Sequence, residues 1–318
     1  MLVPELIEHV CSSASSKAWA LRRQIVFSMT SNATLIDERR AALIHRHNIS
    51  TMLSLDGIGE AHDRYRKTVS GKGSFRLIER NLERLLGLPG VKIRLTVGPE
   101  TAAQLPESIR WLFERGFRQV AFTPVVEANW DLDGLSALFD SYEALYELQR
   151  EYQGRATIST LFKNEDYLTG DGEAGFGCGA ARNMVAVDTD GILYPCHRFV
   201  GYFKHGQRQQ VGNVFDGFDK AAREFYIAAN HLSTHVGCGS GLFDEELPPS
   251  QRDCKACSLS PVCNTNCMAV SEHMTGDPRR PSPINRALAQ IAAAAHLGQR
   301  TQLLDQGDDP LSRECALH

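Results

Sequence analysis

The sequence predicts an α/β fold, part of a β/α barrel with about four strands, followed by a cysteine-rich domain. Three observations carry that prediction. Short β-rich runs alternate with helically spaced apolar residues through the first half, the chain turns rich in Gly and Cys after Gly154, and six of the nine cysteines fall in two grouped spacings. At ~150 residues per domain, 318 residues leave room for two.

The strands come first. Gln24–Met29 (QIVFSM), Thr51–Leu55 (TMLSL), Val91–Val97 (VKIRLTV) and Gln119–Val125 (QVAFTPV) have the length and β-branched content of buried strands. Between them, Phe75, Ile78, Leu82 and Leu85, then Leu105, Ile109, Leu112 and Phe113, recur at helical spacing. Strand and helix units of this size make the strands parallel and the helices their crossovers. Sites in such folds lie at the carboxyl ends of the strands. Those ends read Thr30-Ser31-Asn32, Ser54-Leu55-Asp56-Gly57 and Thr123-Pro124. For each alone, a cap or turn former is the commoner role.

Past Asp131, the residues Leu135, Leu138, Phe139, Tyr142, Leu145 and Tyr146 form a helical stripe that reads as core. Met184–Val187 and Ile192–Tyr194 flank the turn Asp188-Thr189-Asp190-Gly191, a β-hairpin with Cys178 before it and Cys196 after it. A proline-rich stretch from Asp277 to Pro283 precedes a last helix around Arg286–His296. The expected domains are therefore 1–153, a partial barrel; 154–290, the cysteine-rich domain; and 291–318, a C-terminal helix and tail.

Composition narrows the function classes. Apolar residues at 42% and charged residues at 23% exclude disorder, collagen-like repeats and membrane arrays. Thirty-four Lys and Arg against 38 Asp and Glu leave a net charge of −4, with no electrostatic footprint for nucleic acid or an anionic membrane. No apolar run reaches the ~18 residues that span a bilayer. The opening residues carry Glu5 and Glu8 and no basic region before an apolar stretch, unlike a secretory signal. A cytoplasmic location follows as the expectation, and there grouped cysteines bind metal more often than they pair.

Cys254-Lys-Ala-Cys257, then Cys263 and Cys267, place four thiols within fourteen positions. A buried free Cys is a small hydrophobe and has no reason for such spacing. Two close pairs can close a tetrahedral zinc site. Cys178 and Cys196 raise the set to six, more than one such site takes, whereas iron–sulfur clusters tolerate a non-Cys position.

The pattern C-x12-G-x4-C followed by C-x2-C-x5-C-x3-C resembles the SPASM extension of radical S-adenosylmethionine (SAM) enzymes, over residues 170–290. That family carries up to two auxiliary [4Fe-4S] clusters there. The resemblance implies Cys178, Cys196 and Cys267 as ligands of the first and Cys254, Cys257 and Cys263 of the second. The seventh Cys of the family pattern is replaced in the neighbourhood Pro283-Ile284-Asn285-Arg286. Cys238 is then either a substitute ligand or a loop thiol, while Cys11 and Cys315 fall outside the pattern.

The first half resembles the same superfamily independently. Thr30-Ser31-Asn32-Ala33-Thr34 is similar to its TNGT strand end, and Ser54-Leu55-Asp56-Gly57 with His62-Asp63-Arg64-Tyr65-Arg66 to its S-x-D-G…HDxxR segment. The resemblance implies SAM contacts at Asn32, Ser54 and Arg66, with Asp56 supporting the turn. A guanidinium suits the methionyl carboxylate, and small hydroxyl or amide groups suit a ribose. The C-x3-C-x2-C that holds the catalytic cluster of the family is missing, as is its Gly-Gly-Glu-Pro strand end. The expectation is a chain that begins near the third of six strands, inactive alone unless a longer product supplies that segment.

The implied function is radical-based modification of a peptide or protein, either crosslink-forming or sulfatase-maturase-like. The partners would be the substrate and a reducing donor such as flavodoxin or ferredoxin. In Cys196-His197-Arg198-Phe199-Val200-Gly201, His197 occupies the place where sulfatase-maturating members carry an Asp base, and it is the candidate catalytic residue. Two alternatives stay open: a non-catalytic electron-transfer or peptide-binding partner with auxiliary clusters only, and a zinc-stapled structural protein.

Overall fold

The computed structural model describes residues 3–161, 178–201, 203–204, 207–231 and 267–297. They belong to two compact units, one of Met1–Val125 with Asp140–Phe162, the other of Val126–Phe139 with Lys163–His318.

The first unit is mixed α/β around a parallel sheet. Its strands are β1 (Ser28–Ser31), β2 (Ser50–Ser54), β3 (Lys92–Val97), β4 (Gln119–Pro124) and β5 (Thr157–Ile158), in spatial order 1-2-3-4-5. Spatial order equal to chain order requires each connection to cross back over the sheet. The crossovers are helical: α2 (Glu38–Arg46) between β1 and β2, the short helices α3 (Glu60–Asp63), α4 (Phe75–Glu79) and α5 (Leu82–Leu86) before β3, α6 (Leu105–Glu114) before β4, and α7 (Leu132–Glu151), which buries the stripe Leu135, Leu138, Phe139, Tyr142 and Leu145, before β5. In β3 the residues Ile93, Leu95 and Val97 are buried and alternate with less buried neighbours, the period-two pattern of a pleated strand. Residues Leu105, Ile109, Leu112 and Phe113 are likewise buried on one face of their helix. Asp37 caps α2 by accepting from the Arg40 N–H at 2.9 Å.

Three expectations shift. The first strand starts at Ser28, not Gln24, because β2 begins at Ser50 and Ser28 pairs with Ser50, so nothing lies opposite residues 24–26. Ile25 and Val26 are consequently exposed. The stripe from Phe75 to Leu85 is buried as expected but divides into two helices, Phe75–Glu79 and Leu82–Leu86. A fifth parallel strand, β5, pairs Thr157 with Gln119 and Ile158 with Val120. The helix preceding the sheet, α1 (Pro4–Ala20), ties to α2 through Glu5–Arg39 at 3.0 Å and Glu8–Arg46 at 2.9 Å and buries Cys11.

In the second unit, β6 (Ala186–Val187) and β7 (Ile192–Tyr194) form the expected antiparallel hairpin. Asp188 shapes its turn: Oδ1 accepts from the N–H groups of Asp190 and Ile192, both at 2.9 Å, and Gly191 takes φ +82°, which glycine adopts without strain. Following β8 (Phe203–Lys204) and β9 (Gln207–Arg208), which pair with each other, β10 (Gly212–Asn213) and β11 (Gly217–Phe218) extend the hairpin into a sheet of order 11-10-7-6. Helices α8 (Lys220–Ala229), α9 (Met268–Thr275) and α10 (Pro283–Leu297) complete the described part. Its core joins Leu193, Tyr194, Cys196, Phe199, Val211, Tyr226 and Met268, with Cys267 packed against them. No helix among the described residues is long and apolar enough to cross a membrane.

Candidate functional site

Two groups of expected site residues can be built from the chain upward, one in each unit. At the carboxyl end of β1, Asn32 is exposed and uses its Oδ1 locally, accepting from the Thr34 N–H at 3.3 Å and hydroxyl at 3.0 Å. Its side chain thus shapes the loop, while Ser31 Oγ accepts from the Ala33 N–H at 3.1 Å. Ser54 closes the neighbouring strand end and is buried. Two residues on, Asp56 is 6% exposed, and it gathers three donors. Arg66 gives it two hydrogen bonds, from Nε at 2.5 Å and Nη2 at 3.1 Å, and the Thr96 N–H on β3 donates at 2.8 Å. Such a fork is the geometry in which guanidinium and carboxylate bind best. Arg66 Nη1 makes no hydrogen bond among the described residues, so that edge of the guanidinium is free for a further acceptor.

His62, quoted with this motif but given no role from sequence, holds the arrangement together. It is fully buried; Nδ1 accepts from the Asp56 N–H at 3.1 Å and Nε2 meets Ser74 Oγ at 3.0 Å. Ser74 in turn donates to the Arg66 carbonyl at 2.8 Å. Burial pushes the imidazole below its ordinary pKa, with Asp56 and Asp63 opposing and Arg66 assisting. A neutral ring accepting at Nδ1 must carry its proton on Nε2, which makes the donor to Ser74 definite. Gly57, at φ +145°, lets the chain turn so closely that a Cβ there would meet Ala61 Cβ at 2.8 Å.

In the second unit the thiols of Cys178, Cys196 and Cys267 are brought together, although 18 and 71 positions separate them along the chain. All are free thiols. Cys178 precedes the Ala180–Met184 bridge, Cys196 caps the 3₁₀ turn His197–Phe199, and Cys267 caps α9. Burial of the sulfurs pushes the Cys178 and Cys196 thiols up, and Cys267 raises both further by repulsion. Opposing this, the Ala180 N–H bonds the Cys178 sulfur and the Arg198 and Phe199 N–H groups bond that of Cys196, favouring thiolate. Among the described residues no three His, Cys, Asp or Glu side chains are close enough to hold one metal ion.

His197 is exposed, next in chain to Cys196, and Arg198 pairs with Glu127 in the same unit. Cys238, Cys254, Cys257 and Cys263 lie outside the described residues. Sequence reasoning missed His62, Thr96, Ser74 and Asn230. Only His62 had a signal, its place inside the quoted motif.

No family model matches the chain. Over 105 residues it is 29% identical to the cysteine-type anaerobic sulfatase-maturating enzyme of Clostridium novyi, covering 32% of this chain and 28% of that one. Over 263 residues it is 24% identical to the Clostridium perfringens enzyme of the same description, covering 77% and 65%. The chain thus spans less than two thirds of the curated relatives it matches. Its fold superposes on anSMEcpe with bound AdoMet at TM-score 0.71 and 19% identity, over 96% of this chain and 79% of that chain. With anSMEcpe carrying AdoMet and the Kp18Cys peptide the TM-score is 0.69 at 19% identity, over 93% and 80%.

Proposed function

From the relation to radical SAM/SPASM maturases that sequence and fold support, we propose that this chain takes part in radical-based modification of a peptide or protein. The observation that carries the reading is the convergence of Cys178, Cys196 and Cys267 in a fold shared with an AdoMet-binding maturase.

The residues present fit the groups that reading requires. Three thiols, two of them with N–H donors on their sulfurs, suit an iron–sulfur cluster, which would take thiolates from several segments and tolerates a non-Cys position. Cys178, Cys196 and Cys267 would hold it, with Cys254, Cys257 and Cys263 to hold a second and Cys238 as a substitute ligand. SAM together with reduced clusters supplies hydrogen-atom abstraction and electron transfer when bound. The chain's own part is to bind and orient. Arg66, held by Asp56, offers Nη1 to the methionyl carboxylate; Ser54 and Asn32 border the ribose at adjacent strand ends. His197, exposed beside Cys196, is the candidate base toward the substrate. The peptide substrate is supported by the peptide bound to anSMEcpe, and a flavodoxin or ferredoxin is the class of donor that delivers single low-potential electrons.

The test is binding, because C-x3-C-x2-C is not among the 318 residues. Anaerobically reconstituted protein is expected to hold iron and acid-labile sulfide and to bind SAM in a calorimetric titration, with binding lost in Arg66→Ala. Colourless protein with stoichiometric zinc and no heat with SAM would overturn the reading.

A further inference from the structure

The three thiols sit on segments far apart in sequence, and one helix touches all three segments. That helix, α8, begins at the Asp219 cap, whose carboxylate accepts from the Ala222 N–H at 3.0 Å. Arg223, Tyr226 and, just past its end, Asn230 follow at i, i+3 and i+7, the spacing that lines one helix face.

Each of these side chains fixes a different part of the thiol set. Arg223 donates from Nε to the Ala181 carbonyl at 2.8 Å and from Nη2 to that of Arg182 at 3.0 Å, pinning the turn after Cys178. Tyr226 donates to Glu272 at 3.1 Å, and Glu272 lies on α9, the helix that Cys267 caps. The Tyr226 ring also meets Phe199 edge-on at 5.1 Å, inside the turn that Cys196 caps. Asn230 has no exposed surface and brackets the backbone of Cys178: Oδ1 accepts from its N–H at 3.4 Å and Nδ2 donates to its carbonyl.

An ordinary core helix has no need of these groups. Burying an amide costs free energy unless both of its functions are bonded, and Asn230 bonds both to one residue, Cys178. Glu272 is equally a buried carboxylate that an apolar residue would replace at less cost. What the polar choice provides is direction: thiolates repel, so their spacing before metal arrives has to come from the scaffold.

We infer that Asn230 and Tyr226 are positioning residues for the thiolate set, and that α8 is the template fixing the spacing at which the cluster is received. The inference rests on the proposal that Cys178, Cys196 and Cys267 bind a cluster.

The experiment uses the full chain, reconstituted anaerobically with iron and sulfide. It reads iron and sulfide per chain, the electron paramagnetic resonance of the reduced protein, and the rate at which a chelator strips iron. Asn230→Leu is expected to keep the far-ultraviolet circular dichroism of the wild type yet lose iron about 10–100-fold faster, the usual scale for residues that orient a metal ligand. Asn230→Asp, which still accepts from the Cys178 N–H, is expected to restore part of the retention. Tyr226→Phe keeps the ring against Phe199, loses the bond to Glu272 and is expected to alter the resonance; should Asn230→Leu not fold, this variant decides by its stripping rate. In a Cys178→Ser background Asn230→Leu is expected to change the rate by less than about twofold, because a residue acting through Cys178 has nothing left to position. An equal effect in both backgrounds, or wild-type retention in Asn230→Leu, overturns the inference alone. Wild-type protein that takes up no iron and sulfide overturns the cluster assignment beneath it.

Discussion

Arg66 donates to Asp56 through two nitrogens, at 2.5 and 3.1 Å, and the carboxylate is the more deeply buried partner, with 4% of its side chain exposed against 27% for the arginine. Removing the cation leaves a buried carboxylate on the Thr96 N–H alone. Arg66→Ala is expected to cost about 3 kcal/mol, the lower end of the range for broken buried pairs because Arg66 keeps some solvent. Arg66→Lys recovers only part of this, since an ammonium cannot reproduce the fork. Urea unfolding measures both; an alanine variant as stable as the wild type contradicts the account.

The buried, neutral His62 gives the first unit a pH dependence of known sign. Its folded pKa lies below the ordinary 6.5, chiefly through burial, so between the two values the unfolded chain binds more protons than the folded one. Stability contributed by the neutral ring is complete above about 6.5, falls as the pH drops through that value and levels off below the folded pKa. In His62→Gln this component of the slope is expected to vanish. Chemical unfolding at a series of pH values reads it directly, and an unchanged slope in the variant would count against the assignment.

Gly57 is required on two grounds, its φ of +145° and the 2.8 Å approach of Ala61 to the position of its missing Cβ. Gly57→Ala should therefore both strain the backbone and push away the helix that carries His62. A loss of about 1–3 kcal/mol is expected, the scale of a residue held in a sparsely populated conformation. A thermal melt that the substitution leaves unmoved would show that the turn relaxes freely.

The two sets of cysteines should report separately. Cys254→Ser with Cys257→Ser is expected to remove about half the iron of the reconstituted protein and leave the resonance that depends on Cys178 and Cys196; Cys178→Ser with Cys196→Ser is expected to do the reverse. Iron analysis and electron paramagnetic resonance decide, and loss of all iron from either pair would merge the two sites into one.

Much of this was legible from local pattern. Four parallel strands were expressed as β-rich runs, and the hairpin between Cys178 and Cys196 was marked by Asp188 and Gly191, which shape its turn locally. β5 escaped because two residues, Thr157 and Ile158, are too few to show a period. The first strand was placed too early because Ile25 and Val26 have strand character, whereas strand limits are set by what the neighbour offers for pairing. Within the sites, side chains named by motif were found, but the groups that hold them were not. Asn230 reaches Cys178 across 52 positions and Thr96 reaches Asp56 across 40, and no local spacing announces a contact of that range.

The wide separation of the three thiols also imposes a timetable. Seventy-one positions divide Cys196 from Cys267, which at about 5–20 residues per second is roughly 4–14 seconds of translation. For that interval Cys178 and Cys196 have left the ribosome while α9 and its Tyr226 contact do not yet exist. Two thiols wait meanwhile, open to oxygen and to stray metal, and the set is complete only once Cys267 and the helix it caps have followed.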